Sequence, residues 1–331
     1  MEIQARIAGF VTLGQQLMNK NNPALEEIKQ RAQTENAWFL TSFIDASLDQ
    51  ICQQFLQETA LKEWVAMYPN MSKTFTHKKI GIVMAGNIPM VGFHDLLSTL
   101  MAGHIAMVKL SSKDKVLMEY IIHSLQTIDP LWKDQIIIQD QLKNCDAYIA
   151  TGSNNTSQYF EYYFGKFPHI IRKNKTSIAI LEGDESAEKL GLLANDMMLY
   201  FGMGCRNVTQ LWVPTGYSFE PLLDALKKYD FLLENHKYKH NYDYQLALLM
   251  MTRQFYMNTG SILLSENPSP FAAISQVHYQ FYEPGKMPTV NKEAIQCVVG
   301  KAGLEFGSLQ SPKLSQYADG VDTLAFLASL N

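Results

Sequence analysis

The chain predicts an α/β protein, a parallel sheet covered by helices and entered through an N-terminal helical layer. Three observations carry that expectation. From Lys78 onward, short apolar runs alternate with stretches of helical periodicity. Each run is apolar on both faces, as a strand buried between helices must be. The third observation is size: 331 residues, 47% hydrophobic and 18% charged, suffice for two domains or one large α/β unit with a substantial core.

Residues 1–70 read as helical. Pro23 follows Asn21-Asn22 at a first helical position, with Leu25, Ile28 and Ala32 at helix spacing behind it. A second helical region runs from about Ala46 through Tyr68, with Ile51, Phe55, Leu61, Trp64 and Val65 on one face, and Pro69-Asn70-Met71 ends it.

The alternation then begins. Lys79 to Ala85 is a buried-strand run and Gly86-Asn87-Ile88-Pro89 a turn. Val91 to Met101 is helical, with Gly103 as its stop. Ile105 to Leu110 is a second strand and Lys113 to Leu125 a second helix. Gln135 to Gln139 and Cys145 to Ala150 are further strands, the last opening through Thr151-Gly152-Ser153 into another helix. After His169-Ile170-Ile171 comes a polar crossing, Arg172 to Thr176, where the domain change is placed, near 175. Ser177 to Leu181 starts the second half as a strand. A helix over roughly 186–200, a strand over 208–214, helices near 219–229 and 242–256, and strand-like runs at Gly260 to Ser265 and Ser275 to Tyr282 follow. Pro268, Pro270, Pro284 and Pro288 mark loops.

Composition excludes several classes. There are 28 Lys and Arg against 32 Asp and Glu, a net charge of −4. That balance gives no electrostatic case for nucleic-acid binding, and clusters such as Lys78-Lys79 and Arg172-Lys173-Asn174-Lys175 read as solvated. Four cysteines without CxxC spacing argue against a disulfide framework or zinc site and suit a reducing compartment. The N-terminus, Met1-Glu2-Ile3-Gln4-Ala5-Arg6, is not a signal peptide. No uncharged apolar run reaches the ~18 residues of a membrane span. The expectation is a soluble, cytoplasmic protein.

Gly202-Met203-Gly204-Cys205-Arg206-Asn207 sets a cysteine in a glycine-flanked turn between helix and strand. A lone cysteine is commonly a small buried hydrophobe. Upstream, three strands end in polar or glycine-containing turns: Gly86-Asn87, Lys109-Leu110-Ser111-Ser112 and Thr151-Gly152-Ser153. Ligands of parallel sheets bind at such C-terminal strand ends.

In this order the four motifs resemble the aldehyde dehydrogenase superfamily, and within it the fatty acyl-CoA reductases of the bacterial-luminescence type. The run from Gly86 to Asp114, the Gly152-Ser153 turn, the Cys205 segment, and Gly307-Ser308-Leu309-Gln310-Ser311-Pro312 to Tyr317-Ala318-Asp319-Gly320-Val321-Asp322 carry the resemblance. It implies an NAD(P)-binding domain with the N-terminal helices over 1–175 and a catalytic domain over 176–294. A C-terminal segment over 295–331 would pack back on the cofactor domain. It implies roles too. Cys205 is the nucleophile. Asn87 donates to the developing oxyanion, a contribution of roughly 3–4 kcal/mol to the transition state, with the backbone N–H of Cys205 as its partner. Lys109 bonds the adenosine ribose, and Gly152 and Ser153 approach the pyrophosphate at a helix N-terminus. Self-association into a homo-oligomer is also implied, although no oligomerisation hairpin is legible.

Two departures sharpen the expected chemistry. Oxidising members carry a glutamate base at the start of the catalytic domain. Here that segment reads Ile171-Arg172-Lys173-Asn174-Lys175-Thr176, with no carboxylate to activate water. Three residues after the ribose lysine, NAD-preferring members often have glutamate. This chain has Ser112 and then Lys113, which suit a 2′-phosphate. NADPH is therefore expected ahead of NADH. The implied reaction is reduction of a long-chain acyl-CoA thioester to the aldehyde through an acyl-cysteine. Alternatives are an acyl-phosphate reductase or aldehyde oxidoreductase on the same scaffold, or a non-catalytic acyl-CoA- or nucleotide-binding relative.

Other groups read as structural. His94 is a packing histidine rather than a base. His236 and His240 share i,i+4 spacing but lack an H-E-x-x-H context. Glu182, Asp184 and Glu185 suit a strand end and a first helical turn. Tyr162-Tyr163-Phe164 and Tyr279-Gln280-Phe281-Tyr282 are expected in the core rather than in an acyl tunnel. Asp319 and Asp322 order the C-terminal segment.

Overall fold

A computed structural model describes residues 1–19, 21–69, 77–283, 285–286, 288–290, 293–301 and 303–330. Asn70 and Met71 of the expected helix stop, and the loop marker Pro284, lie outside the described residues. Two compact units form: Met1–Asn174 with Pro312–Asn331, and Lys175–Ser311.

In the first unit, helices α1 (Ile3–Leu17), α2 (Pro23–Glu35), α3 (Thr41–Gln50) and α4 (Glu58–Ala66) form the N-terminal layer. Asn22 caps α2, its Oδ1 accepting from the Ala24 and Leu25 amides, and Pro23 occupies the first turn. The expected helix from Ala46 to Tyr68 is two helices joined by a π-helical segment over Ile51–Phe55. The apolar face still continues, because Ile51, Phe55, Leu61 and Trp64 are all buried.

The strands are β1 (Lys79–Val83), β2 (Ile105–Lys109), β3 (Ile136–Ile138), β4 (Ala147–Thr151) and β5 (His169–Arg172). They form one parallel sheet in the order β3-β2-β1-β4-β5. The chain direction across the sheet reverses between β1 and β4, the crevice where doubly wound sheets take nucleotides. α5 (Phe93–Met101), α6 (Lys115–Ile128), the short α7 (Trp132–Gln135) and α8 (Asn154–Phe164) are the crossovers. α5 is buried along almost its whole length, with Phe93, Leu96, Leu97 and Leu100 at zero exposure. Such burial stabilises by roughly 1.5–3 kcal/mol per large side chain.

β5 went unrecognised in the sequence, where His169-Ile170-Ile171 led straight into a polar crossing. It pairs with β4 through Thr151 opposite Arg172. Arg172 is accordingly buried, not part of a solvated basic cluster.

The second unit holds β6 (Thr176–Ile180), α9 (Ala187–Met198), β7 (Val208–Pro214), α10 (Glu220–Leu226) and α11 (His236–Thr252). Then come β8 (Tyr256–Asn258), β9 (Leu263–Glu266), β10 (Gln276–Tyr282) and β11 (Ile295–Gly300). The sheet order is β11-β6-β7-β10-β9-β8, parallel except for the antiparallel β8–β9 pair. α11 starts earlier than periodicity suggested because Asn235 caps it, accepting from the Lys237 and Tyr238 amides. Arg253 in the left-handed region ends it.

The chain returns to the first unit at Pro312, not at 295, because Ile295–Gly300 pairs with β6. Within the first unit, α12 (Thr323–Ala328) buries Leu324 and Leu327 in its core. Asp322 caps it through the Ala325 amide and accepts from Tyr68 Oη at 2.7 Å.

Candidate active site

The first unit offers a set of strand ends. Lys109, the last residue of β2, pairs with Val83, the last of β1. Both line a cavity of about 260 Å³ with Leu142 and the α8 side chains Tyr159, Phe160, Tyr163 and Phe164. That is just under the roughly 300 Å³ at which small-molecule pockets begin, and the lining is apolar with one cation, as such pockets usually are. Of Tyr162-Tyr163-Phe164, Tyr162 and Tyr163 are not core residues, being 81% and 61% exposed, whereas Phe164 stacks on buried Tyr148 at 4.1 Å. α8 therefore packs through Phe160 and Phe164 and leaves Tyr159, Tyr162 and Tyr163 exposed. Ser112 and Lys113 are exposed and line a separate crevice of about 10 Å³ against Glu35 and Phe39.

Asn87 is exposed at the tip of the loop that leaves β1. Its flanks are held tightly. The Met84 amide donates to Lys109 O at 3.1 Å. Ser47 Oγ donates to Pro89 O at 2.8 Å, and the Met90 amide donates to Asp114 Oδ2 at 2.7 Å. Met90 takes a φ of 56°, a left-handed conformation that costs a non-glycine residue of order 1–2 kcal/mol. Gly86 is dictated by contact, since a Cβ there would stand 2.4 Å from Ser111 Oγ. Asp114 is 3% exposed, and burial pushes its carboxyl well above the usual range against the pull of the Met90 amide. Neither Ser47 nor Asp114 stood out in the sequence.

At the end of β4, Ser153 Oγ caps α8 by accepting from the Thr156 amide at 3.3 Å. A Cβ on Gly152 would lie 2.9 Å from the Phe160 ring. Close packing of α8 on its own turn therefore requires the glycine. The structure thus brings Asn87, Lys109, Gly152 and Ser153 to the ends of three adjacent strands, and it sets Ser112 and Lys113 along a different crevice.

Cys205 belongs to the second unit. α9 ends at Met198, and Tyr200, Phe201 and Gly202 follow with φ of 55°, 58° and 71°. Glycine takes this conformation freely, but at Tyr200 and Phe201 it is costly, and deep burial holds those two. Tyr200 and Phe201 are 4% and 1% exposed, and the Phe201 ring packs tilted against Tyr238 at 5.5 Å. Cys205 itself is half-buried, and its carbonyl accepts from Ser177 Oγ at 3.1 Å. Arg206 donates to Cys297 Sγ on β11 at 3.5 Å. Burial raises that thiol's pKa, more than the neighbouring guanidinium lowers it. Cys52 and Cys145 are buried, and burial pushes the Cys52 thiol up to about 12.

Asn207, absent from the sequence-based set, is fully buried and bonds around the whole turn. Its Nδ2 donates to the carbonyls of Asp196, Met197 and Leu199 at 3.0, 3.4 and 2.9 Å. Its Oδ1 accepts from the Gly204 amide at 2.8 Å. Asp196, also fully buried, accepts from the Gly307 and Leu309 amides at 2.6 and 3.1 Å. The Gly307-Ser308-Leu309 motif is therefore the brace behind α9. An asparagine two residues after a glycine-cysteine pair, and an aspartate on the apolar face of a helix, were the available signals.

His94 Nε2 pairs with Leu314 O at 2.9 Å among the rings of Phe55, Trp64 and Tyr317. The His236 and His240 rings lie 6.2 Å apart, and among the described residues no three metal-ligating side chains cluster. Tyr279 and Tyr282 are core, whereas Phe281 is 41% exposed. Among the described residues no helix is long and apolar enough to cross a membrane.

Comparison with known proteins agrees with this architecture. The profile of the family described as acyl-CoA reductase (LuxC) matches residues 11–221. No curated protein matches significantly. Among solved structures, aldehyde dehydrogenase 21 from Physcomitrella patens, in complex with the reaction product succinate, aligns over 100% of this chain and 84% of its own. Its TM-score is 0.68 at 12% identity. An aldehyde dehydrogenase of Mycobacterium tuberculosis complexed with NAD+ aligns over 86% of this chain and 69% of its own, with TM-score 0.62 at 12% identity. The NAD+ complex of aldehyde dehydrogenase from Bacillus cereus aligns over 86% and 68%, with TM-score 0.60 at 12% identity. At these identities the likeness shows the fold.

Proposed function

We propose, for a chain that belongs to the acyl-CoA reductase (LuxC) family and is an aldehyde-forming oxidoreductase, that it reduces long-chain acyl-CoA with NADPH through an acyl-Cys205 thioester. The observation that carries the reading is the Cys205 turn, where a half-buried thiol follows three left-handed residues and Asn207 bonds the chain on either side of them. A backbone under that much local constraint is typical of functional positions.

In this reading the Cys205 thiolate attacks the thioester carbon, and the carbonyl π electrons move to oxygen. The Asn87 carboxamide and the Cys205 backbone N–H serve as donors to that oxygen. Expulsion of CoA thiolate leaves the acyl group on Cys205. One thioester replaces another, so the exchange is nearly thermoneutral. The nicotinamide cofactor supplies a hydride when bound. Collapse of the resulting thiohemiacetal breaks the C–S bond, releases aldehyde and returns the thiol. Water is a poor competitor, because the segment 171–176 contains no carboxylate to serve as its base and Arg172 turns inward to Asp95.

The first unit fits a dinucleotide. The aromatic cavity beside Lys109 suits an adenine face with the lysine on the ribose, and the Ser153-capped start of α8 suits a pyrophosphate. Ser112 and Lys113 are assigned to a 2′-phosphate on charge grounds.

The test is incubation with radiolabelled long-chain acyl-CoA. The reading expects hydroxylamine-labile label on wild type, none on Cys205→Ser, and aldehyde on adding NADPH. Label or aldehyde persisting in Cys205→Ser would remove Cys205 from the chemistry. Turnover with acyl phosphate but not acyl-CoA would change the donor.

A further inference from the structure

The structure points to Asn207 as a positioning residue for Cys205, an assignment that rests on the reading of Cys205 as nucleophile. The last carbonyls of a helix lack intrahelical partners and carry about half a negative charge between them. Cys205 follows the C-terminal end of α9, a poor place to hold a thiolate unless those carbonyls are engaged elsewhere.

The Asn207 carboxamide engages them. Its Nδ2 faces the carbonyls of Asp196, Met197 and Leu199, so the two amide hydrogens are shared among three acceptors. Its Oδ1 takes the Gly204 N–H. Rotating the amide by half a turn would set an oxygen against three carbonyl oxygens, so only one orientation is chemically acceptable. The Asn207 amide also donates to Gly204 O at 3.0 Å. Gly204 is thus gripped at both its N–H and its C=O by one residue, and Cys205 and Arg206 form the short loop closed by that grip.

The charged and titratable groups packed around this hub are Arg206, Asp196, Cys297 and the buried tyrosines Tyr200 and Tyr229, and the Asp196 charge bears on Cys297 and Tyr229. Arg206 reaches Cys297 on β11, and Asp196 directs its carboxylate to the Gly307 and Leu309 amides. Asn207 therefore both fixes the turn that presents the thiol and keeps the partial charge of the helix end from opposing ionisation.

Asn207→Asp and Asn207→Ala test this in the full chain. Aspartate conserves shape but replaces the donor with a second acceptor, so the pH midpoint for iodoacetamide alkylation of Cys205 should move upward. Its rate near neutrality should fall at least about tenfold, which is about 1.4 kcal/mol. Asn207→Ala should give a smaller upward movement, and both should lower kcat for acyl-CoA reduction while the affinity for NADPH stays unchanged. Alkylation read by mass spectrometry needs no turnover. A shifted profile in a protein that makes no aldehyde would uphold the positioning role and overturn the reductase reading. Wild-type alkylation profiles and kcat in both variants would overturn the positioning role alone. Should both variants fail to fold, amide exchange in the wild type decides. Protection of the Gly204 amide comparable to that of β7 supports the grip, and free exchange refutes it.

Discussion

Arg172 at the end of β5 donates to the carboxylate of Asp95 in the first turn of α5, and the two side chains are only 6% and 10% exposed. The same guanidinium reaches Thr323 Oγ1 at 2.9 Å and Thr151 Oγ1 at 3.4 Å. One side chain thus joins β4, β5, α5 and α12.

Removing one member of this pair strands the other charge in the core. Asp95→Ala is expected to destabilise the protein by about 3–5 kcal/mol, read as a fall in the urea midpoint. Replacing both partners by apolar residues of similar volume should cost far less. Equal losses for the single and double variants would show that the pair is not the source of the effect.

Asn87→Ala should lower kcat for aldehyde formation by about 100- to 1000-fold without weakening NADPH binding. Asn87 is exposed, and its loop is anchored through Met84, Pro89 and Met90. The anchors should therefore survive the substitution. A parallel loss of NADPH affinity would assign Asn87 to cofactor binding instead.

Lys113→Glu and Ser112→Glu test the cofactor assignment. If these exposed residues meet a 2′-phosphate, each variant should raise KM for NADPH and leave that for NADH unchanged or lower. Lys109→Ala should weaken both cofactors alike, since it lines the cavity assigned to the adenosine half they share. An unchanged NADPH to NADH ratio in both glutamate variants would show that the crevice beside Ser112 takes no phosphate.

The alternation of strand and helix was legible because burial on both faces leaves a continuous apolar run, as in Ile80 to Val83 and Ala106 to Val108. The residues at strand ends were legible for the same reason, since each polar turn interrupts such a run. What stayed hidden depends on contacts distant in the chain. Arg172 looks like surface until Asp95, 77 residues away, meets it. Asn207 looks like an ordinary loop polar residue until the end of α9 folds over it. β5 is only four residues long and ends in that arginine, so periodicity had too little to work on. Tyr162 and Tyr163 of α8 misled in the opposite direction, being large and aromatic yet exposed.

Asp196 gives a prediction with a definite sign. It is fully buried, and burial raises its carboxyl from 3.8 to about 6, outweighing the Gly307 and Leu309 amides that favour the ionised form. The folded protein therefore holds this proton more tightly than the unfolded chain does. The stabilising contribution is complete below about pH 4 and is lost as pH rises through about 6. At about 1.4 kcal/mol for each pH unit of displacement, the change is roughly 3 kcal/mol. Asp196→Asn cannot ionise, and it loses one amide acceptor at every pH. The stability of wild type relative to Asp196→Asn, measured by urea unfolding, should accordingly fall between about pH 4 and about pH 7. A constant difference across that interval would mean that Asp196 ionises as easily in the fold as in the unfolded chain. The amide bonds to Gly307 and Leu309 would then fully offset burial at the brace behind α9.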